Sequence, residues 1–419
     1  MRKAIGHNLI GTLAPLVVAA GSMAILARTI DPQTLAFGLL MWVIANAAAV
    51  IDLGIVRALV LERLRMQNMP AALAEFVQSA SNAARAGFLL LAIGLGALYA
   101  LNPRLFQADP ASLDMALTFA LTLACLLPTF LSHVPRAMLE SHSRFGEVAL
   151  WRAIGAMINF GVPGALAATQ ITLPMWVMFG MPLLLGRIVQ KSGFHYAYSK
   201  IDQAQTGLAA PVGRFIIRPY IANYRWLMLS SLISPFMVYA DRFLAGQVAS
   251  PSASVAYLGA ADMLARYLIL PMAVSAAAYP LLCEYVRAGD DVSFRRLTLA
   301  SMLRLTLISL LICSAAALLL PWVLTLWIGN AGVAEATPAL RILLIGLAFN
   351  GMSFIPFAVV QAKGHSEVIG RLHMIQLPIY AAALYWLGGS FGLIGIALAT
   401  AGRYVLDWMM LMITWRLKS

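Results

Sequence analysis

Residues 299–328 read LASMLRLTLISLLICSAAALLLPWVLTLWI, thirty positions with a single charge, Arg304. A helix of ~20 such residues crosses ~30 Å of hydrocarbon, whereas a soluble helix of this length would carry a polar face. Further apolar runs lie near residues 8–28, 34–57, 82–101, 113–134, 147–168, 172–190, 221–246, 254–285, 338–360, 371–388 and 391–414. Hydrocarbon supplies no partner for backbone N–H and C=O groups, so continuous runs of this kind fold as helices that satisfy themselves. The fold class read from the sequence is therefore an all-α polytopic membrane protein of about twelve spans. The runs at 254–285 and 299–328 exceed a perpendicular span, which predicts tilt or a kink at Pro271 or Pro321.

Composition agrees. Of 419 residues, 61% are hydrophobic and 11% charged, too few charges to clothe a soluble core of this size. The net charge of +12 would suit nucleic acid only if it were gathered in one patch. Instead, Lys and Arg are scattered over every second junction, including Arg63, Arg65, Arg144, Arg187, Lys191, Arg287, Arg295, Arg296, Lys363 and Arg416. The alternate junctions hold little beyond Arg28 and Arg104, and 169–171, 247–253 and 389–390 hold no Lys or Arg. Basic residues stay cytoplasmic, so this bias excludes a nucleic-acid partner and places both termini in the cytoplasm. Met1-Arg2-Lys3 and the apolar stretch to Ala27 resemble a signal peptide, but the run is near span length and is read as an uncleaved first span.

Several chemistries find no support. Cys125, Cys283 and Cys313 match neither a zinc site nor a disulfide framework and read as small apolar residues. His133, His142, His365 and His373 lack metal-ligand spacing and are assigned to the cytoplasmic interface, so no metal or cofactor is expected. There is no phosphate-cradling Gly-Lys-Ser loop and no nucleophile elbow. A membrane enzyme acting on lipid-linked sugars would place polar residues in sizeable periplasmic loops, and these loops are short and nearly uncharged.

The chain also repeats itself. Leu26-Ala27, Asp31-Pro32 and Phe37-Gly38 parallel Leu244-Ala245, Ser250-Pro251 and Tyr257-Leu258-Gly259. Pro135-Arg136-Ala137 with Gly146-Glu147-Val148 parallels Pro356-Phe357-Ala358 with Ser366-Glu367-Val368. The reading is a six-helix lobe over 1–200, a cytoplasmic linker over 201–220 and a second six-helix lobe over 221–419. An even number of spans per half gives parallel repeats, as in carriers that alternate access.

Three stretches then resemble a known family, the Wzx-type polysaccharide or O-antigen flippases within the multidrug, oligosaccharidyl-lipid and polysaccharide (MOP) exporter superfamily. They are Phe37-Gly38 with Ile51-Asp52-Leu53-Gly54-Ile55, Tyr257 to Leu264 running on to Leu270-Pro271 and Tyr279-Pro280-Leu281, and the basic junctions after the fourth and tenth spans. The resemblance implies a V-shaped, MATE-like carrier moving undecaprenyl-diphosphate-linked oligosaccharide from the cytoplasmic to the periplasmic leaflet for cell-surface polysaccharide biosynthesis. It further implies a polymerase and chain-length machinery as partners, with H+ or Na+ as a coupling ion. Relatives that flip the peptidoglycan precursor carry two additional spans, which are not found here. The drug-extruding branch has the same span number, and the sign of the cavity separates the two: acidic for cationic drugs, basic for a diphosphate.

Charges inside spans are the informative positions, because each costs ~2.5–3.5 kcal/mol on insertion scales unless paired or employed. Asp262 with Arg266 and Arg403 with Asp407 stand four apart, on one helix face, and the plain expectation is that each pair neutralises itself. The functional expectation is that Arg28, Arg242, Arg266 and Arg403 form a basic cavity for the diphosphate, since guanidinium matches phosphate with two donors. Asp52, Asp241, Asp262 and Asp407 are the candidates for ion coupling. Asp241 and Arg242 are adjacent in sequence, which makes a bridge between them awkward; the plain expectation for Asp241 is a pairing with Arg266 or Arg242 of a neighbouring turn or helix, and Asp52 is expected to cap or pair near Arg57. Trp42, Trp176, Trp322, Trp327 and Trp386 read as interfacial belts.

Overall fold

The computed structural model describes residues 2–66, 69–106, 108–109, 111–142, 144–205 and 217–418. Part of the expected linker, 206–216, lies outside them. The described residues hold fourteen α-helices and no strand. Eight helical segments are long and apolar enough to cross a membrane, among them Leu113–Ser141, Asp291–Ile328, Val333–Ala362 and Glu367–Arg416. Each of the twelve apolar stretches is helical over most of its length. The outward residues are apolar too: on the helix Asp291–Ile328, Leu303, Leu311, Leu318 and Trp322 are all exposed, Leu311 at 73%, as suits a surface solvated by lipid.

Two compact units make up the chain, Met1–Tyr239 and Ala240–Ser419. In the first, α1 (Arg2–Thr29) packs on α6 (Phe145–Ala156) and α7 (Val162–Ala168), which are one rod joined by a π-turn at Met157–Gly161. α2 (Pro32–Val50) and α3 (Ile55–Arg65) are the halves of one broken span, and α4 (Pro70–Leu101) follows. The hub is α5 (Leu113–Ser141), against which α2, α3, α4 and α8 (Met181–Gln205) pack. Close backbone approach stands in for the hydrophobic drive that a bilayer lacks. At the crossing of α6 and α8, a Cβ on Gly155 would lie 2.9 Å from the Gly186 carbonyl.

The second unit begins within α9 (Arg218–Val248). It continues through α10 (Pro251–Ala265), α11 (Ile269–Ala288), α12 (Asp291–Ile328), α13 (Val333–Ala362) and α14 (Ser366–Lys418). Here α13 is the hub, contacting α10, α11, α12 and α14. α14 is two rods, because Gly392 takes φ 59° and ψ −137° and ends the first. The expected irregularity near Pro271 lies at Arg266–Leu268, a tight turn between α10 and α11; Pro271 lacks an N–H and its ring crowds the carbonyl of Tyr267 four residues earlier. α12 runs through Pro321 as one uninterrupted helix.

The repeat read from the sequence has a structural counterpart. Asp31 and Ser250 are both extended N-caps followed by Pro at the first helical position, accepting from Thr34 N at 2.9 Å and Ala253 N at 3.3 Å. Pro135 in α5 and Pro356 in α13 each precede the last residue of their helix by six positions. Asp114, in the first turn of α5, accepts from Met175 N at 2.8 Å and Trp176 N at 3.2 Å. Glu335, in the first turn of α13, accepts from Ser250 N at 3.1 Å and Ser250 Oγ at 2.6 Å. Each carboxylate thereby pins its hub helix to a neighbouring element.

Candidate functional site: buried polar clusters of the two units

In the second unit, the short connection at Ser250 folds α10 back along α9, so residues on either side of it meet. Arg242 is 4% exposed and Asp241 is fully buried. The guanidinium is shared between two carboxylates: Nη1 donates to Asp241 Oδ1 at 2.7 Å and Nη2 to Asp262 Oδ1 at 3.0 Å. Nε reaches the same Asp262 oxygen at 3.2 Å, and Tyr257 Oη donates to Asp241 Oδ2 at 3.0 Å. Two expectations are corrected here. Adjacency does not prevent the Asp241–Arg242 bridge, because the long Arg side chain bends back onto its neighbour. Asp262 pairs with Arg242, not with Arg266, which lies beyond the end of α10 in the turn and is exposed.

Arg403 and Asp407 do not bridge each other either. Asp407 Oδ1 accepts from Gln376 Nε2 at 3.2 Å. The Arg403 guanidinium lies 4.2 Å from the ring centroid of Tyr404 and 5.3 Å from that of Tyr380. Tyr380 Oη is itself bonded to Thr400 Oγ1 at 3.1 Å. Among the described residues, Nε and Nη2 of Arg403 are buried and have no hydrogen-bond partner. Stacking holds this guanidinium in place while leaving two of its donors unspent.

The first unit contributes residues that the sequence placed elsewhere. Arg187 was expected at a cytoplasmic junction, yet it is 7% exposed. It donates to the Ala45 carbonyl at 3.0 Å, to Asn46 Oδ1 at 3.2 Å and to Gln190 Oε1 at 3.2 Å. Ala45 belongs to the last turns of α2, whose carbonyl-rich end carries partial negative charge that suits a cation. His133, expected at the interface, is 2% exposed on α5. Trp42, expected in a belt, is buried against Phe160 and Phe179. Trp322 and Trp386 are exposed.

Asp52 sits in the connection between α2 and α3. Its Oδ1 accepts from Gly54 N at 2.9 Å, closing a local turn in which Leu53 (φ 52°) and Gly54 (φ 74°) are both left-handed. Tyr220 Oη donates to the Leu53 carbonyl at 2.7 Å, and Tyr224 donates to the buried Glu62 carboxylate, which also pairs with Arg65 at 3.1 Å. Arg28 ends α1, exposed. Of the four candidate arginines, the second unit thus buries Arg242, half-buries Arg403 with two of its nitrogens enclosed, and leaves Arg266 exposed. No feature of the sequence short of a contact map distinguishes Arg187 from its truly interfacial neighbours.

The fold is the one seen in transporters of the MOP superfamily: the chain superposes on an inward-facing multidrug resistance MATE family transporter with a TM-score of 0.71 at 15% identity, covering 98% of each chain. The lipid II flippase MurJ, in an inward closed conformation, matches with a TM-score of 0.71 at 14% identity, over 98% of this chain and 87% of that one. In sequence, the chain is similar along nearly its whole length to the "Putative O-antigen transporter" of Shigella flexneri, 26% identical over 409 residues, 96% of this chain and 95% of that protein. No protein-family model matches. The resemblance carried by Phe37-Gly38, Ile51 to Ile55 and Tyr257 to Leu264 is borne out by these comparisons, as is the all-α, multi-pass fold.

Proposed function

We propose that this protein flips a polyprenyl-diphosphate-linked oligosaccharide from the cytoplasmic to the periplasmic leaflet of a bacterial inner membrane. The chain would cross the bilayer twelve times with both termini cytoplasmic, as two six-span halves over 1–200 and 221–419. The observation that carries the reading is Arg403, a stacked cation with two buried donors unspent. A diphosphate moving through a region poor in water needs fixed positive charge, and guanidinium keeps its charge at any working pH. Unsatisfied charged donors are costly and are tolerated where a ligand completes them.

A cation-exporting reading has the same fold but less chemistry. Asp241 and Asp262 are already engaged by Arg242, and Asp407 by Gln376, so the acidic side chains that would receive a cationic drug have protein partners. The full-length similarity to the O-antigen transporter supports the lipid-linked sugar. Such a carrier would alternate access between the leaflets, keep the polyprenyl tail in lipid and hand its cargo to a polymerase. The test is reconstitution of the intact protein in proteoliposomes with a fluorescent lipid-diphosphate oligosaccharide on one side and, separately, a cationic dye. Transfer of the lipid and not the dye supports the flippase. Dye efflux with no lipid transfer would replace it with the exporter.

A further inference from the structure

The two rods of α14 lie side by side, and their contacts set one register. Gln376 Nε2 donates to Asp407 Oδ1 at 3.2 Å and meets Met410 Sδ at 3.5 Å. Tyr380 Oη is bonded to Thr400 Oγ1 at 3.1 Å, and its ring lies under the Arg403 guanidinium. His373, Gln376 and Tyr380 are spaced three and four apart on the first rod, and Arg403 and Asp407 four apart on the second, so each set shares a helix face. The contacts turn those faces toward each other. One helical turn, about 6 Å along the axis, separates Gln376 from Tyr380 and Asp407 from Arg403.

Four polar atoms along this seam are buried and, among the described residues, have no hydrogen-bond partner: His373 Nδ1, Gln376 Oε1, and Nε and Nη2 of Arg403. Native interiors leave few such atoms, and four from three residues on facing rods mark a place where something binds. Gln376 is 1% exposed, and its amide cannot turn to spend the oxygen. An ionised Asp407 carboxylate only accepts, so the amide must present its nitrogen there and keeps Oε1 for another donor. The unspent set is therefore mixed: the guanidinium offers N–H groups, and the amide oxygen needs one. An ionised diphosphate satisfies the guanidinium alone, since it has no proton to give Oε1. A sugar hydroxyl, or the N–H of an acetamido group, supplies what the phosphate lacks.

We propose that Gln376 is a specificity residue for the sugar next to the diphosphate: its Oε1 accepts from an O–H or N–H of that sugar, while Arg403, one turn along the seam, holds the phosphate. Asp407 is a positioning residue, which fixes the amide with its oxygen free and does not touch the ligand. Tyr380 and Tyr404, on which the guanidinium stacks, wall the Arg403 end. The identity of the ligand as a sugar rests on the flippase reading above.

The test compares two lipids bound by the full chain in lipid nanodiscs: polyprenyl diphosphate carrying N-acetylglucosamine, which bears both O–H and N–H donors, and the same diphosphate capped by methyl. The readout is the ratio of the two Kd values, because damage to the fold weakens both lipids alike and leaves the ratio unchanged. The intact protein should prefer the sugar-bearing lipid, and Gln376→Met should lower that preference by roughly two- to tenfold, the worth of one neutral hydrogen bond. Asp407→Asn should lower it by less, since asparagine can also donate and lets the amide turn. An undiminished preference in Gln376→Met overturns the subsite; should that variant not fold, an undiminished preference in Asp407→Asn does so. Equal binding of both lipids by the intact protein also overturns it, since water alone would then fill the seam. Lipid transfer in the proteoliposome test with no sugar preference removes the subsite and spares the flippase, whereas a Gln376-dependent preference without transfer keeps the subsite and removes the flippase. Binding of neither lipid overturns both.

Discussion

Arg242 Nη1 lies 2.7 Å from Oδ1 of Asp241, the residue immediately before it, and both side chains are buried in the C-terminal unit. The pair, extended by Asp262 and Tyr257, concentrates two negative charges and one positive where water is scarce. Removing one partner of a buried pair leaves a charge uncompensated, at a cost of about 3–5 kcal/mol. Arg242→Ala should therefore lose that much stability in thermal unfolding of the purified protein. The double change Arg242→Ala with Asp241→Asn should recover part of it. Unfolding of Arg242→Ala at the intact protein's temperature would show the pair to be idle.

Packing between α6 and α8 gives a second expectation. A Cβ on Gly186 would fall 1.9 Å from Asn159 Oδ1 and 2.7 Å from the Gly155 carbonyl, and a backbone carbonyl yields little. Gly186→Ala should cost about 1–3 kcal/mol through overpacking. Gly94→Ala on α4, where nothing lies within 4 Å, should be neutral or stabilising by a few tenths of a kcal/mol to about 1 kcal/mol. Equal effects of the two changes on unfolding would contradict the close approach.

At the start of α12, Asp290 caps the helix by accepting from Ser293 N at 3.0 Å. Hydrogen bonds from the Ser293 side chain and backbone hold its carboxyl below the usual carboxylate range. A depressed folded-state value means that the cap's contribution is complete above the unfolded value of 3.8 and is lost as pH falls through the lower, folded one. Hydrogen-exchange protection in the first turn of α12 should hold at about pH 5 and decline below that unfolded value. Asp290→Asn should show protection without this acid dependence, and a matching decline there would assign it to another group.

The helices and their repeat were legible because bilayer length and capping chemistry are local: a thirty-residue run from Leu299 with a single charge, or Asp31-Pro32 against Ser250-Pro251, announce themselves in sequence. Partnerships were not. Spacing of four put Asp262 with Arg266 and Arg403 with Asp407 on common faces, but flexible arginines take the nearest partner in space, and α10 ends before Arg266. Depth was equally hidden for Arg187, His133 and Trp42. In an apolar span the lipid-facing and protein-facing sides look alike, so periodicity cannot tell which way a residue points. Arg187 stands near a span end by count, and only packing of α8 on α2 and α5 carries it inside.

Arg403 is where these strands meet, since its stacked guanidinium retains two buried donors. A charged hydrogen bond is worth about 1.5–3 kcal/mol, roughly ten- to a hundredfold in rate if made to the passing diphosphate. Arg403→Ala and Arg403→Lys should be compared with the intact protein for transfer of a polyprenyl-diphosphate oligosaccharide between proteoliposome leaflets, at matched folded protein. The expected result is a loss of that size for alanine and a partial loss for lysine, which keeps the charge without the planar fork. Transfer at the intact rate in both variants would contradict a diphosphate held by Arg403.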